Sequence, residues 1–533
     1  MVENCTRCIY ALGVDTSEVI VVGAGPTGLM LAAELALAGV GVSVLEQQAA
    51  PSGQSRGGGV NPRTAEVLAS RGLLDAVTER AVTRESVGGH FAGLPVPLDA
   101  RPWRTRHPDG LLIPQDRLEE VLETRLRELG TRVRRRTVLT DLVQDEDGVE
   151  AVVADPDGTR RLRARYLVAC DGGHSTVRKT TGVPFPGRAG TMSAVSADIE
   201  LAGAADTVPG STTHISTLTR TGGGYWMLLH PLDDEGGCSA GYRVVFGAVD
   251  SGLGEPSSQD RAAPVTADEV ARALAAVHGP DTVLGRLRWG TRFSDACRQV
   301  TAYRHGRVLF AGDAAHIHLP TGGQGLNLGV QDAMNLGWKL AATVHGRAPD
   351  GLLDSYHDER HPVGARVLAN TRAQSVLMSP PPDADDVRAL REIVIEMARL
   401  PDANRYLAGL MSGLDLRYDL GDPDPLVGAR TIDLTLRTGS GTRTVSELLR
   451  TGRGVLLELG GPPTPETDVP AAVDRVEARV LDSPVGVELG SARPADRVLV
   501  RPDGYVCWIG CGPDETPDAA LARWFGAGAS VRA

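Results

Sequence analysis

The chain has 533 residues, 42% hydrophobic and 23% charged, with 55 basic against 67 acidic side chains and a formal net charge of −12. These proportions belong to a globular chain of two or three domains, and the acidic balance argues against nucleic acid or an anionic membrane as partner, since both need a basic face. No run approaches the roughly 18 apolar residues of a membrane span, and residues 1–17 lack a basic segment followed by a long apolar one, so a cytoplasmic protein with a flexible N-terminal extension is expected.

Seven cysteines, Cys5, Cys8, Cys170, Cys238, Cys297, Cys507 and Cys511, form an odd and scattered set rather than a disulfide framework. Cys5 and Cys8 have redox or half-zinc spacing. No second Cys/His pair completes a metal site and no strand precedes them, so they read as an adventitious pair. Cys507 and Cys511 read as buried, inert thiols. No metal site is expected.

The first element is the β-branched run Glu18–Val22, a buried parallel strand. Gly23-Ala-Gly25-Pro26-Thr27-Gly28 follows, then a helical stretch, Leu29–Leu37, and a second strand, Val42–Glu46. In such a unit the first glycine permits the tight turn, the second lets a pyrophosphate approach the backbone, and the third lets helix and strand pack closely. The helix N-terminus offers N–H donors to the phosphates, and Glu46 can accept from ribose hydroxyls. Strands, helix and acid in register mark a dinucleotide-binding unit. Which dinucleotide it takes is not decided by this cluster.

A second strand-and-turn cluster runs from Arg165–Cys170 into Asp171-Gly172-Gly-His-Ser175. Residues 186–285 show β-type stretches and no helical periodicity. One stretch, Gly224–Leu229, alternates so that Tyr225, Met227 and Leu229 share one face and Trp226, Leu228 and His230 the other. A third cluster begins with the strand Arg307–Ala311 and continues through Gly312-Asp313, His316, His318 and Pro320 to Gly323, Gly325, Leu326 and Asn327. An apolar helix, Leu328–Val344, follows. A carboxylate buried at Asp313 needs donors, which sugar-type hydroxyls supply. His316 and His318 have no acidic or cysteine neighbour in the sequence and read as structural. Two helical stretches, Ala384–Leu400 and Ala403–Met411, lead to a Pro/Asp-rich break at 421–426. Three strands (Gly454–Leu459, Arg497–Arg501, Tyr505–Trp508) and an amphipathic helix, Asp518–Phe525, close the chain.

The three clusters, in this order, resemble the para-hydroxybenzoate hydroxylase-like FAD monooxygenases over about residues 18–375, and their joint order is more specific than any one motif. The C-terminal part, with Arg501-Pro-Asp-Gly-Tyr505, resembles the thioredoxin-like domain of the large polyketide hydroxylases in that family, without its redox Cys-x-x-Cys. The resemblance implies an α/β and α+β multidomain protein. Its parts are a doubly wound FAD-binding domain (18–185 and 286–375), a substrate-binding β-sheet domain (186–285), a helical connector (376–424) and a thioredoxin-like C-terminal domain (425–533) of structural or dimerising role.

The resemblance also assigns residues. Gly23, Gly25, Pro26, Thr27, Gly28, Glu46 and Gln47 are expected at the adenosine diphosphate part of FAD, and Arg56 near phosphate or flavin. Gln115 is expected to approach the flavin. Asp171 and Gly172 would serve both FAD and NAD(P)H. Gly312 and Asp313 would hold the ribityl chain, and Pro320, Gly323, Gly325, Leu326 and Asn327 would border the flavin. Tyr225, Trp226 and Pro320 are candidates for the substrate pocket. Two departures stand out: relatives commonly carry Arg after the ribose acid, where this chain has Gln47, and Ala-Leu-Gly-Val-His where it has Gly-Gly-Gly-Val-Asn61.

The implied activity is hydroxylation of a polycyclic aromatic polyketide of angucycline, anthracycline or tetracycline type, with O₂ and NADPH (or NADH) as co-substrates. In that chemistry FAD is reduced, O₂ adds at flavin C4a, and the hydroperoxide delivers oxygen to the ring. No side chain is assigned as a catalytic residue. Inactivation of a naphthoquinone antibiotic, a Baeyer–Villiger oxygenation and a non-catalytic flavin-binding protein remain open beside it. A flavin halogenase is disfavoured by the lack of a W-x-W-x-I-P motif. The protein is expected to be a monomer or homodimer.

Overall fold

A computed structural model describes residues 15–51, 53, 57–82, 89–211, 214–232, 241–249, 263–378, 385–460, 468–481, 495–512 and 514–526. Cys5, Cys8, Arg56 and Cys238 lie outside them.

The chain opens with β1 (Val19–Val22), α1 (Pro26–Leu37) and β2 (Val42–Leu45), with β2 parallel to β1. All four β1 residues are buried, in one apolar core that also takes in Leu29, Leu31 and Leu35 of α1 and the strand residues Val149, Ala151 and Val153. Next come α2 (Pro62–Ala69), capped by the Asn61 side chain on the Thr64 amide, and α3 (Gln115–Glu128). β3 (Val133–Arg134) then joins the far side of β2. Three antiparallel strands, Val138–Gln144, Val149–Asp155 and Gly158–Ala164, form a four-stranded side sheet with the short parallel edge strand Asp15–Thr16 before β4 (Tyr166–Ala169) returns to pair with β1. The short helix α4 (Thr176–Thr181) follows β4.

The middle unit contains β5 (Ser193–Gly203), β6 (Thr219–Gly222), β7 (Tyr225–Pro231), β8 (Gly241–Ala248), α5 (Ala267–His278) and β9 (Val283–Ser294). The strands form one antiparallel sheet in the order β6-β7-β8-β5-β9. One face, carrying Ile199, Met227, Leu229 and Phe246, packs on Val270, Ala273 and Leu274 of α5. Helix α5 corrects the strand-only reading of 186–285. Thr266 caps the Glu269 amide, and apolar residues at 270, 273 and 274 supply the helical stripe. The sheet also continues past residue 285, since β9 pairs with β5 as far as Ser294.

The chain then returns through β10 (Arg304–His305) and β11 (Val308–Phe310), completing a six-stranded sheet in the order β10-β11-β4-β1-β2-β3. Helix α6 (Gln324–Val344) is buried on nearly every side and lies across α1, where a Cβ on Gly337 would stand 2.5 Å from Glu34 Cβ. It begins four residues before the Leu328 read from sequence because the glycines ahead of it form its cap. Helices α7 (Ser355–Met378), α8 (Asp385–Ala398) and α9 (Pro401–Ser412) follow.

The C-terminal unit holds β12 (Thr435–Thr438), β13 (Gly441–Thr444), β14 (Gly454–Glu458), β15 (Val473–Val480), β16 (Arg497–Val500), β17 (Val506–Gly510) and α10 (Asp518–Phe525). Its sheet order is β13-β12-β15-β14-β16-β17, with β14 parallel to β15 and antiparallel to β16. It docks on the N-terminal unit through buried charges. Arg501 donates to both Glu359 oxygens at 2.7 and 2.8 Å and to Asp503 at 2.6 Å, while Asn335 and Lys339 of α6 reach Glu359 at 2.6 and 2.9 Å. Every buried charge in that cluster has an opposite partner, which is the condition for leaving water.

Candidate active site

The three glycine-and-aspartate clusters meet because their backbones touch. A Cβ on Gly23 (φ +102°) would lie 2.3 Å from the Cys170 carbonyl oxygen and 3.1 Å from Asp171 Cα, so the first turn fits only without a side chain. Thr27, on the first turn of α1, fills the space beside the third cluster: Cβ atoms on Gly312 or Gly329 would stand 2.7 and 2.2 Å from its Oγ1. Gly329 was not singled out in the sequence; no local pattern marks a helix glycine whose partner lies three hundred residues away.

Together these clusters line one cavity of about 1700 Å³, which also takes in the roof sheet β6–β9 and the ends of α7 and α9. Pockets that hold one drug-sized ligand run to roughly 300–1,000 Å³. The larger volume leaves room for a dinucleotide and a second, ring-sized molecule together.

The cavity's residues fit a flavin dinucleotide. A Cβ on Gly25 would meet no atom of the described residues within 4 Å, so among them the backbone at the α1 N-terminus is bare toward the cavity, whereas one on Gly28 would collide with Gly23 O at 2.0 Å. Pro26 sits in the first helical turn, where its missing N–H costs nothing. Glu46 accepts from the Ala24 amide at 3.0 Å and the Gln48 amide at 2.9 Å, which aims the carboxylate along the cavity rim beside the exposed Gln47.

Asp171 Oδ2 caps α4, accepting from Thr176 N at 2.7 Å and Val177 N at 3.1 Å, while Oδ1 is buried with no hydrogen-bond partner among the described residues. Burial raises the Asp171 pKa against the Ser175 and backbone hydrogen bonds that lower it. Gly172 (φ +78°) turns the chain beside it.

Asp313 projects an exposed carboxylate into the cavity, so it is not the buried group expected, and its donors would be those of a bound ligand. Gly323 ends the turn in the left-handed region (φ +63°) and caps α6 without a side-chain hydrogen bond. The first N–H groups of α6 therefore have no helix partner, and Gly325, Leu326 and Asn327 present that end to the cavity together with Pro320. The Asn327 side chain is otherwise engaged. It accepts from Asn61 N at 2.9 Å and donates to Gly59 O at 3.2 Å and Gly323 O at 2.8 Å, clamping the Gly57–Asn61 loop. Gln115 does the same from the other side, accepting from Gly57 N at 3.1 Å and donating to Glu119 at 2.8 Å.

The two histidines part company. His316 is buried and bonded to Asp332 at 2.7 Å, which corrects the reading that it lacks an acidic partner: the acid comes from α6. His318 faces the cavity near Asp313 and Gly325. Its Nδ1 bonds to the Leu319 carbonyl at 2.8 Å, and burial lowers its pKa.

On the roof, the face carrying Trp226 and Leu228 lines the cavity. Tyr225 lies on the opposite face, edge-on to Phe246 at 6.2 Å and against the α5 core, so of the two aromatic candidates only Trp226 reaches the cavity. His90, Arg188 and Arg243 also line it, unmarked by any sequence motif. The His90 pKa is pushed down to about 4 by burial and by neighbouring His214. No group of three or more metal-type ligands occurs among the described residues.

Comparison with known proteins bears on the same site. Residues 16–371 match the family described as FAD binding domain, and residues 424–528 match aromatic-ring hydroxylase, C-terminal. The 12-dehydrotetracycline 5-monooxygenase/anhydrotetracycline 6-monooxygenase of Streptomyces rimosus is 46% identical over 519 residues, covering 96% of this chain and 99% of that protein. Among solved structures, the OxyS anhydrotetracycline hydroxylase from Streptomyces rimosus superposes with a TM-score of 0.85 at 44% identity, covering 96% of this chain and 100% of that one. CabE, an aromatic hydroxylase from angucycline biosynthesis, does so with a TM-score of 0.84 at 40% identity, covering 96% and 99%.

Proposed function

The chain belongs to the FAD-binding aromatic-ring hydroxylases, and from that premise we propose that it hydroxylates a polycyclic aromatic polyketide, drawing electrons from NADPH or NADH. It is a FAD-dependent monooxygenase. The observation that carries the substrate reading is the single cavity joining the three cofactor clusters to the Trp226 face of the roof sheet.

Bound FAD supplies the activation of O₂ after reduction by a nicotinamide, chemistry that no protein side chain provides. The protein's own tasks follow from position. Gly25 and the α1 N-terminus receive the pyrophosphate, Glu46 the ribose, and Asp313 the ribityl hydroxyls. The N–H groups at Gly325–Asn327 favour negative charge on the flavin by roughly 0.3–1 kcal/mol. Asp171 and Gly172 lie where a nicotinamide nucleotide would dock transiently. Trp226 and the roof sheet cover the ring and exclude water. His90 Nδ1 accepts from the Gly93 amide at 3.3 Å, so the neutral ring carries its proton on Nε2 as a donor in the cavity wall. Tyr225 passes from the substrate candidates to the sheet core.

The C-terminal unit is read as thioredoxin-like, on the strength of β14 lying parallel to β15 and antiparallel to β16. Cys507 is buried and its thiol is pushed up by that burial, which suits a structural or dimerising role rather than a redox one. No helix among the described residues is long and apolar enough to cross a membrane.

The test is direct. Purified protein should be yellow, release FAD rather than FMN, and oxidise NADPH faster when a polycyclic phenol is added. A protein that takes up no FAD, or whose NADPH oxidation ignores a panel of such phenols, would end this reading.

A further inference from the structure

The cavity face of the roof sheet is graded. Strand register aligns an aromatic row carrying Trp226 and Phe293, a mixed row carrying Leu228 and Ser196, and a polar row in which Arg243, Asp198 and Trp289 are direct cross-strand neighbours. Trp226 lies over Gly247, where a Cβ would come within 2.9 Å of its Nε1, so the indole rests flat on the strand. Arg243 is the one member of the polar triad that lines the cavity.

Arg243 is held from behind. Its Nε and Nη2 donate to the two Asp198 oxygens at 2.9 and 3.0 Å, and Trp289 Nε1 donates to Asp198 Oδ2 at 2.7 Å. A guanidinium has two bidentate edges. Asp198 takes the Nε–Nη2 edge; Nη1 takes no hydrogen-bond partner among the described residues. Because Asp198 balances the charge, the row offers two aimed donors rather than a net cation. Two parallel N–H donors fix the spacing of a pair of acceptor oxygens, and without a net charge on the row those oxygens need not be a full anion.

We infer that Arg243 orients the substrate through its Nη1–Nη2 edge. It bonds two neighbouring oxygens, an enolised 1,3-dicarbonyl or a phenol beside a ring carbonyl, on one edge of a fused-ring molecule whose apolar rings lie under Trp226 and Phe293. The inference deepens the hydroxylase reading above and rests on it. Asp198 and Trp289 are positioning residues in this arrangement, and the oxygenated edge decides which ring carbon faces the flavin.

The experiment uses the FAD-loaded enzyme and two probes: anhydrotetracycline, which carries an enolised 1,3-dicarbonyl, and 9-phenanthrol, a polycyclic phenol with a single oxygen. Dissociation constants are read from the flavin difference spectrum. Arg243→Met should weaken anhydrotetracycline by about tenfold or more while changing 9-phenanthrol by less than about twofold. Bound FAD should stay unchanged, and turnover of anhydrotetracycline should spread over more than one position. Since Arg243→Met strands the Asp198 carboxylate, Asp198→Leu/Arg243→Met provides a variant without that charge, and it should show the same selectivity. Unchanged anhydrotetracycline binding in both variants, or equal loss of both probes, would overturn the role of Arg243 while substrate-stimulated NADPH oxidation by the parent enzyme kept the hydroxylase reading intact. A parent enzyme that neither bound nor oxidised either probe would overturn both.

Discussion

His316 and Asp332 meet at 2.7 Å beneath the cavity, and the same Asp332 accepts from Arg360 at 2.7 Å and from the Gly312 amide at 3.1 Å. One fully buried carboxylate on α6 thereby ties the Gly312–Asp313 turn to two helices. Burial works to raise the Asp332 pKa, but Arg360 and His316 outweigh it and hold the carboxyl below its ordinary value. Asp332→Ala leaves Arg360 buried without its counter-charge and should cost about 3–5 kcal/mol. Chemical denaturation should show that loss, with weaker FAD retention because the Gly312 turn is released. Asp332→Leu/Arg360→Met should recover most of the stability; if it is as unstable as the single variant, the ion pair is not the cause.

Gly25 and Gly28 are both glycines of the first cluster, yet they should fail differently. Gly28→Ala forces a Cβ to 2.0 Å from Gly23 O and should destabilise the fold by roughly 1–3 kcal/mol. Gly25→Ala meets no atom of the described residues and should leave the melting temperature of the apoprotein unchanged. It should still raise the FAD dissociation constant by about tenfold or more, because the methyl group occupies the phosphate's approach. Flavin fluorescence titration and apoprotein melting separate the two, and equal FAD affinity in Gly25→Ala and the parent would remove the pyrophosphate from that turn.

The docking of the C-terminal unit should be acid-sensitive. Burial pushes the Glu359 pKa up, but Arg501 and Lys339 prevail and depress it from 4.5 to about 2. For a depressed acid the unfolded state binds the extra proton first. Stability from this group is therefore present above about pH 4.5 and is lost as pH falls through the window toward 2. Acid titration followed by tryptophan fluorescence should report it, since Trp338 lies within the interface at 6.0 Å from Phe525. Glu359→Gln should flatten the pH dependence of stability in that window; an unchanged slope would assign the acid limb elsewhere.

Trp226 and Tyr225 make a paired test of the roof. Trp226→Ala should weaken a polycyclic ligand by about tenfold, the loss of one stacked aromatic and its buried area, with little change in stability. Tyr225→Ala should do the reverse, costing about 1–3 kcal/mol of stability through its contact with Phe246 and α5 while leaving ligand affinity near the parent value. Ligand titrations and denaturation curves that came out the other way round would exchange the two faces of the sheet.

What could be read from sequence was what local chemistry writes down. Gly23 and Gly28 announce a turn and a close helix–strand contact because no other residue fits those few ångströms, and β1, α1 and β2 follow from short-range periodicity. What escaped needed distant partners. His316 appeared to lack an acid because Asp332 lies a full turn-and-helix further on. Gln115 is expected beside the flavin and Asn327 there through its backbone N–H, but no local pattern shows that both side chains also hold the Gly57–Asn61 loop. Alternation separated Tyr225 from Trp226 but did not say which face was covered, since that depends on α5, itself hidden in a stretch that looked wholly β. Arg243 carries no motif: its meaning lies in cross-strand register with Asp198.

The cofactor clusters and the roof sheet enclose one reaction space. Mass spectrometry of products formed from anhydrotetracycline and NADPH under isotopically heavy oxygen gas addresses that most directly. A product heavier by one oxygen atom, with the label drawn from the gas and formation dependent on bound FAD, is the predicted result. A product whose added oxygen comes from water, or FAD-independent conversion, would contradict it.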